Sequence, residues 1–312
     1  MKMIKRIVKN ILTTKPPMLN EKYKILIKQL KNNVFDIDLP SNPTQSEKEW
    51  LANRVELVSK ITNDDPLKFL QWGIIKRTMV AAYPQKFVKK ELGYLKMLPD
   101  WDGRWKNALR ESRIGSPTKY PFYLNSSGNL IHQAYHISQF EKYSKKHIDE
   151  YDLIFEFGGG YGAMCKIIHK LGFKGKYIIF DLPEFSALQK FYLTANRLIT
   201  SELGDGNTDN HNIINISQLE PKVTDLLNKT VVKKSLFIAN WSLSESPIAV
   251  RNIISQNLSR INGVMLAYQE NFGEMDNVNY FYNFKGNFPG IDNWNDIHMP
   301  YMPKNHYLFG YK

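Results

Sequence analysis

The sequence predicts an α/β protein in which a helical N-terminal region leads into a mostly parallel sheet with helices on both faces. After residue 150, short apolar runs alternate with helical stretches, the pattern of strands joined by crossover helices. Before it, apolar residues recur at helical spacing and are cut into short segments by Pro40, Pro43, Pro66, Pro84, Pro99, Pro117 and Pro121. The last eighteen residues, "NDIHMPYMPKNHYLFGYK", read as two strands around a turn at Pro303 to Asn305, an antiparallel closing hairpin.

In order along the chain, "MKMIKRIVKNILTTK" carries Ile4, Ile7, Val8, Ile11 and Leu12 at helical spacing among Lys2, Lys5, Arg6 and Lys9. Such a segment can lie on an anionic bilayer or pack on the body of the protein. "NEKYKILIKQLK" places Tyr23, Leu26, Ile27 and Leu30 on one helical face. Thr44 with Glu47 forms a capping-box signature before Trp50, Leu51, Val55, Val58 and Ile61. Strands are expected at "YDLIFEF", "KGKYIIFDL", "NHNIINIS", "KKSLFIANW" and "NGVMLAYQE", which with the hairpin make seven. Helices are expected at "GAMCKIIHKL", "FSALQKFYLTANRLI", "LEPKVTDLLN" and "SPIAVRNIISQNLSRI". The organisation is read as a helical accessory or substrate region over 1–125 and a cofactor-binding domain over 126–312.

Of 312 residues, 43% are hydrophobic and 13% aromatic, ample for a packed core, which excludes a disordered chain. The formal charge of +12 sits in one half: residues 1–150 hold 27 of the 42 Lys and Arg but only 15 of the 30 Asp and Glu. A basic half beside a neutral one suits a partner carrying phosphate groups, nucleic acid or an acidic membrane surface, or is a solvated face. A single cysteine, Cys165, excludes an internal disulfide framework and fits a reducing, cytoplasmic setting.

The stretch "LIFEFGGGYGAMCKIIHKL" reads as buried strand, tight glycine turn and helix, so a ligand can approach the backbone at a helix N-terminus. Gly158, Gly160 and Ala163 fit G-x-G-x-x-A, a dinucleotide fingerprint, with Asp181 after the next strand in the place of an NAD-ribose acid. The same residues read as E-x-G-x-G-x-G through Glu156, Gly158, Gly160 and Gly162. Glu156 favours the second reading, because a carboxylate beside a pyrophosphate is repelled.

That second pattern resembles the first motif of class I S-adenosylmethionine (SAM) methyltransferases. With "FDLPEFSALQKFYL", "SSGNLIHQAYHISQFEKY" and "ANWSLSESP", residues from about 120 to 312 resemble putative sugar O-methyltransferases of bacterial surface-polysaccharide synthesis. The resemblance implies a Rossmann-like class I methyltransferase fold of seven strands, with SAM held by Glu156, Gly158, Gly159, Gly160, Gly162, Asp181, Leu182 and Asn240. It implies methyl transfer to a sugar hydroxyl, the sugar being nucleotide-activated or lipid-linked, at the inner face of the membrane or in the cytoplasm. A homodimer is compatible with it. Asn240 is followed by Trp241 rather than Pro-Pro-aromatic, and no Pro-Cys pair occurs, which leaves oxygen as the acceptor atom. An RNA or small-molecule methyltransferase, and a non-catalytic SAM- or nucleotide-binding module, are the competing readings.

A hydroxyl acceptor calls for a base at the carboxyl ends of the strands. Glu245 after the fourth apolar strand and His298 in the hairpin are the candidates, each otherwise a polar surface contact. "HQAYH" puts His132 and His136 one turn apart, facing substrate, holding a metal or serving structure. Gln133 stands where H-E-x-x-H has glutamate and no third ligand is apparent, so no metal is assigned. Arg104 and Arg113, among Trp101, Trp105, Tyr120, Phe122 and Tyr123, are expected to meet substrate phosphate.

Overall fold

A computed structural model describes residues 11–34, 45–80, 86–198, 200–202, 212–217 and 233–312. Most of the basic amphipathic terminus, Thr44 of the capping box and the segment "LEPKVTDLLN" lie outside the described residues.

The N-terminal region is helical as expected: α1 (Glu21–Asn32), α2 (Gln45–Asn63), a 3-10 turn (Pro66–Gln71), α3 (Gly73–Thr78) and α4 (Lys86–Lys96). Asn20 caps α1 by accepting from the Tyr23 amide at 3.1 Å, and Leu30 buries with Tyr23, Leu26 and Ile27 against the core. In α2 the buried residues are Leu57 and Ile61, whereas Val55 is 51% exposed. Trp50, Val58 and Ile61 of the expected face pack on the core, and Leu57 joins them while Val55 turns outward. A small hairpin, β1 (Lys119–Tyr120) and β2 (Tyr123–Ser127), follows and hands over to α5 (Gly128–Ser144). Ser127 caps α5 by accepting from the Leu130 amide. Buried residues surround α5 on nearly every side, so it is a central helix rather than a surface one.

The remaining elements are β3 (Leu153–Phe157), α6 (Ala163–Lys170), β4 (Lys176–Phe180), α7 (Pro183–Ala195), β5 (Thr200–Glu202), β6 (Ile213–Ile216) and β7 (Ser235–Asn240). They continue with α8 (Ser242–Glu245), α9 (Ile248–Gln256), β8 (Gly263–Gln269), β9 (Asn271–Phe272), β10 (Met275–Asp276), α10 (Asn277–Phe284), β11 (Asn293–His298) and β12 (Asn305–Tyr311). One sheet runs in the order β11-β12-β8-β7-β3-β4-β6-β5. Its six strands from β8 to β5 are mutually parallel, and β12 and β11 add antiparallel pairings at the other edge. The seven expected strands are present. The eighth, β5, is a three-residue polar edge strand with no apolar run to announce it.

Alternate residues of each strand feed two cores. Ile154, Tyr177, Ile179, Leu236 and Phe309 face α5, α6, α7 and the N-terminal helices, in a cluster that runs on to Leu30 and Leu92. Phe155, Ile178, Ile214, Phe237 and Leu308 face α9 and α10. From β3 the chain winds out through β4 to β6 and β5, then crosses to β7 and β8 on the other side. The crevice at the carboxyl ends of β3 and β7 is thus the place where strand order reverses and where such sheets bind ligands. Among the described residues no helix is long and apolar enough to cross a membrane.

Candidate active site

A cavity of 710 Å³ opens at that crevice. Its floor is the turn after β3, where Gly158, Gly160 and Gly162 have φ of +73°, +57° and +89°, conformations that L side chains rarely adopt. At Gly158 space forbids a side chain as well: a Cβ there would lie 2.2 Å from Ser242 Cβ. Ser242 is fixed because its hydroxyl donates to the Phe157 carbonyl.

Two strand-end carboxylates flank the glycines. Asp181, after β4, accepts from the Gly160 amide (2.8 Å), the Leu182 amide (2.8 Å) and Gln189 Nε2 (3.0 Å). Burial pushes its carboxyl up to about 8 against those amides, which favour the charged form. Glu156, near the end of β3, is 5% exposed and accepts the Tyr177 hydroxyl at 2.7 Å. Burial pushes it up to about 7, with the Tyr177 hydrogen bond opposing. Across the crevice the Asn240 side-chain oxygen is buried without a hydrogen-bond partner among the described residues. Glu156 and this unpartnered oxygen both line the cavity.

The raised Glu156 carboxyl has a consequence for stability. Its pKa lies above that of an unfolded glutamate, so the folded state is favoured below about pH 4.5 and loses that advantage as pH climbs through 7. Glu156→Gln escapes the loss. The stability gap between this variant and the wild type should widen in the variant's favour from pH 4.5 to 8, reaching on the order of 3 kcal/mol. Urea midpoints of the two ligand-free proteins at each pH measure it, and a pH-independent gap would refute it.

His132 lines the cavity and belongs to a buried chain of polar groups. Its Nδ1 is 2.8 Å from Glu91 Oε1, its Nε2 is 3.1 Å from His136 Nε2, and His136 Nδ1 is 2.5 Å from the Tyr307 hydroxyl. Every contact is satisfied when Tyr307 donates to His136, His136 to His132 and His132 to a Glu91 carboxylate, a tautomer assignment that follows from the network. Burial first, then the nearby His132, hold His136 well below the usual imidazole range.

Trp241 stacks on His132, with ring centroids 5.9 Å apart at 26°. Its backbone has φ +62°, a strained conformation for a non-glycine residue. Its amide donates to the Ala267 carbonyl (2.6 Å) and its indole N–H to Asn305 Oδ1 (2.8 Å), which hold the strain in place. Glu245, on α8, also lines the cavity, half-buried. The roof comes from the N-terminal helices. Arg54 is bonded to the buried Glu184 of α7 (2.5 and 3.3 Å), and Trp50 meets Phe185 edge-on at 5.9 Å.

Gly158, Gly159, Gly160, Glu156, Asp181, Leu182, Asn240, Glu245 and His132 all line the cavity. Gly162 and His136 stand behind it, Gly162 as the residue before α6 and His136 as the partner of His132. Three expectations are corrected. Arg104 is enclosed by Glu141 (2.6 Å), Asp149 (3.3 Å) and Asp100 (3.5 Å), so its charge is already matched within the protein. Arg113 donates to the carbonyls of Lys15 and Pro16 (3.1 and 2.9 Å) and ties down the N-terminal segment. The arginines that do line the cavity are Arg54 and Arg77. His298 ends the edge strand β11, separated from the glycine turn by β12, β8 and β7, and is exposed.

Glu91 escaped the sequence reading, yet it left a trace there. Val88, Leu92 and Leu95 bury one face of α4, and Glu91 is a carboxylate on that apolar face. A buried acid among apolar residues calls for a partner.

No protein-family model matches the chain, and no curated protein matches it. It is similar to several solved structures. The methyltransferase domain of bacterial CtHen1 shares 10% identity over 59% of this chain and 100% of its own, with a TM-score of 0.41. Magnesium protoporphyrin IX methyltransferase from Synechocystis, solved with bound SAM, shares 12% over 74% and 99%, with a TM-score of 0.38. The N-terminal domain of human METTL16, in complex with SAH, shares 10% over 58% and 70%, also at 0.38.

Proposed function

We propose that the chain is a SAM-dependent methyltransferase acting on an oxygen acceptor. The observation that carries this reading is the pairing of Glu156 and Asp181 about the Gly158 to Gly160 turn, in a cavity at the strand-order reversal. Glu156 and the unpartnered Asn240 oxygen suit the ammonium of SAM, which would pull Glu156 back into its charged form. Asp181 suits the ribose hydroxyls, since a carboxylate oxygen accepting one amide keeps a lone pair. The backbone at Gly158 to Gly160 allows the close approach that a Cβ would block.

When bound, SAM supplies a methyl group on a sulfonium, open to in-line displacement. The protein's share is to hold an acceptor oxygen behind that methyl and to remove its proton. His132 takes the proton at Nε2, the nitrogen that the His136 N–H must first release, and Glu91 neutralises the imidazolium that results. His136 and Tyr307 fix the ring's orientation from behind. Glu245 is the second polar group in reach of an acceptor, and Trp241 gives the apolar wall on which a sugar ring can stack.

A phosphate-bearing sugar of surface-polysaccharide synthesis is the acceptor class we favour. Support comes from the sequence resemblance and the basic first half. An acceptor linked to lipid would place the protein at the membrane surface, with residues 1–15 as the contact.

Isothermal calorimetry with SAM and S-adenosylhomocysteine, against NADH, tests the cofactor. Micromolar binding of the sulfur ligands, weakened at least about tenfold in Asp181→Ala for loss of a charge-assisted hydrogen bond, is expected. Binding of NADH alone, or of none of the three, would sink the reading. A screen of nucleotide-sugars for methyl transfer then decides the acceptor, and RNA binding that weakens steeply with salt would favour RNA instead.

A further inference from the structure

The geometry points to a divalent transition-metal site, of the zinc class, formed by Glu270, His298 and His306 at the outer corner of the sheet. The three residues come from three adjacent strand ends. His298 and His306 are direct cross-strand partners on β11 and β12, and His306 pairs on its other side with Tyr268 of β8. Glu270 follows β8 and is pinned by its amide, which donates to the Lys304 carbonyl at 2.9 Å. One ligand atom of each lies within 4.8 Å of the others.

Two details separate this cluster from an ordinary polar corner. His306 Nε2 stands 3.4 Å from Glu270 Oε1, which matches the edge of a zinc tetrahedron, about 3.4 Å for bonds near 2.1 Å. The other ring nitrogen, Nδ1, lies 3.1 Å from Asp296 Oδ1, and Asp296 is itself held by the Tyr268 hydroxyl at 3.0 Å. A carboxylate on the far nitrogen is the support that metal-binding histidines regularly have, because it fixes the tautomer and raises ligand basicity.

The charge balance agrees, since two carboxylates face a buried His306 and a cation relieves their repulsion. His298 is exposed and free to turn its ligand nitrogen, already within 4.8 Å of the other two ligand atoms, toward the cation, leaving the fourth position to water. The other carboxylate and histidine group, Glu141, His147 and Asp149, lacks this character. Both oxygens of Glu141 are taken, by Arg104 at 2.6 and 2.7 Å and by the Ile148 amide at 2.7 Å.

The cation would clasp the ends of β8, β11 and β12 beside Asn305, the residue that holds the Trp241 indole. Loading should therefore stiffen one wall of the cavity and raise the melting temperature. The full-length protein, dialysed against a chelator, is titrated with zinc chloride by calorimetry, with cobalt(II) absorption reporting four-coordinate geometry. One equivalent bound at micromolar Kd or tighter is expected. His298→Ala, at an exposed position outside the core, should weaken it at least about tenfold, Asp296→Asn by about 10- to 100-fold, and His147→Ala not at all. Absence of binding, equal affinity in wild type and His298→Ala, or loss of binding in His147→Ala would each overturn the assignment. Melting curves of every variant confirm the fold.

Discussion

A His132→Ala chain should lose about 10²- to 10⁴-fold in kcat for methyl transfer, the usual weight of a positioned base, while its affinity for S-adenosylhomocysteine stays within a few fold. The separation follows from position. His132 lies on the acceptor side of the cavity, against Trp241, and is absent from the glycine turn and its carboxylates. The same substitution should show in stability, because it leaves Glu91, 2% exposed, without its partner. Breaking a buried pair on one side costs about 3–5 kcal/mol. Glu91→Leu combined with His132→Leu should recover most of it, since an apolar pair leaves no charge buried. Urea unfolding of the three proteins at pH 5 and 8, beside single-turnover methyl transfer, reads both effects. An unchanged kcat in His132→Ala would remove the ring from the chemistry whatever the stability data say.

Gly158→Ala is expected to damage the protein before any acceptor is involved. Forcing an alanine to φ near +73° costs about 1–2 kcal/mol, and the clash with Ser242 adds about 1–3 kcal/mol. Ser242 has little freedom to withdraw, being tied to the Phe157 carbonyl and lying at the start of α8. The turn should shift, and SAM affinity should fall by at least about 100-fold, equivalent to roughly 2.7 kcal/mol. Gly162→Ala supplies the contrast: its φ is also positive, but a Cβ would meet the Leu193 side chain at 3.2 to 3.4 Å, an approach relieved by a shift of a few tenths of an ångström. Its penalty should be mainly the backbone cost, about 1–2 kcal/mol, with the cavity intact. Equal effects of the two substitutions on calorimetric Kd and urea midpoint would refute the steric account.

Much of this architecture was legible in the chain itself. Strands announce themselves when both faces are buried, because each must then be apolar throughout, as in Leu153–Phe157 and Gly263–Gln269. The glycine turn was legible for a local reason too: positive φ at the alternate positions 158, 160 and 162 leaves almost no other residue available. Asp181 and Asn240 were found because the carboxyl end of a strand is a place that sequence order alone marks. The short polar strand β5 and the helix α10 gave weaker signals, having little apolar periodicity or only a brief one.

What the sequence could not supply is which distant side chains meet. Arg104 and Arg113 have the right chemistry for a substrate site, but partners far along the chain, Glu141 for Arg104 and the Lys15 and Pro16 carbonyls for Arg113, claim them, and His298 sits on the far edge of the sheet. Glu91 and His132 are 41 residues apart, and His136 and Tyr307 are 171 apart. Their contact depends on α4 crossing α5 and on β12 inserting beside β8, choices made by the packing of the whole apolar core. Local conformation is set by each residue's own sterics and neighbours, so sequence determined the strands, the glycine turn and its flanking acids. Charge pairing and burial act between segments that only folding brings together, so tertiary structure alone decided which histidine faces the cavity, which arginines are spent on internal carboxylates, and where Trp241 is held under strain.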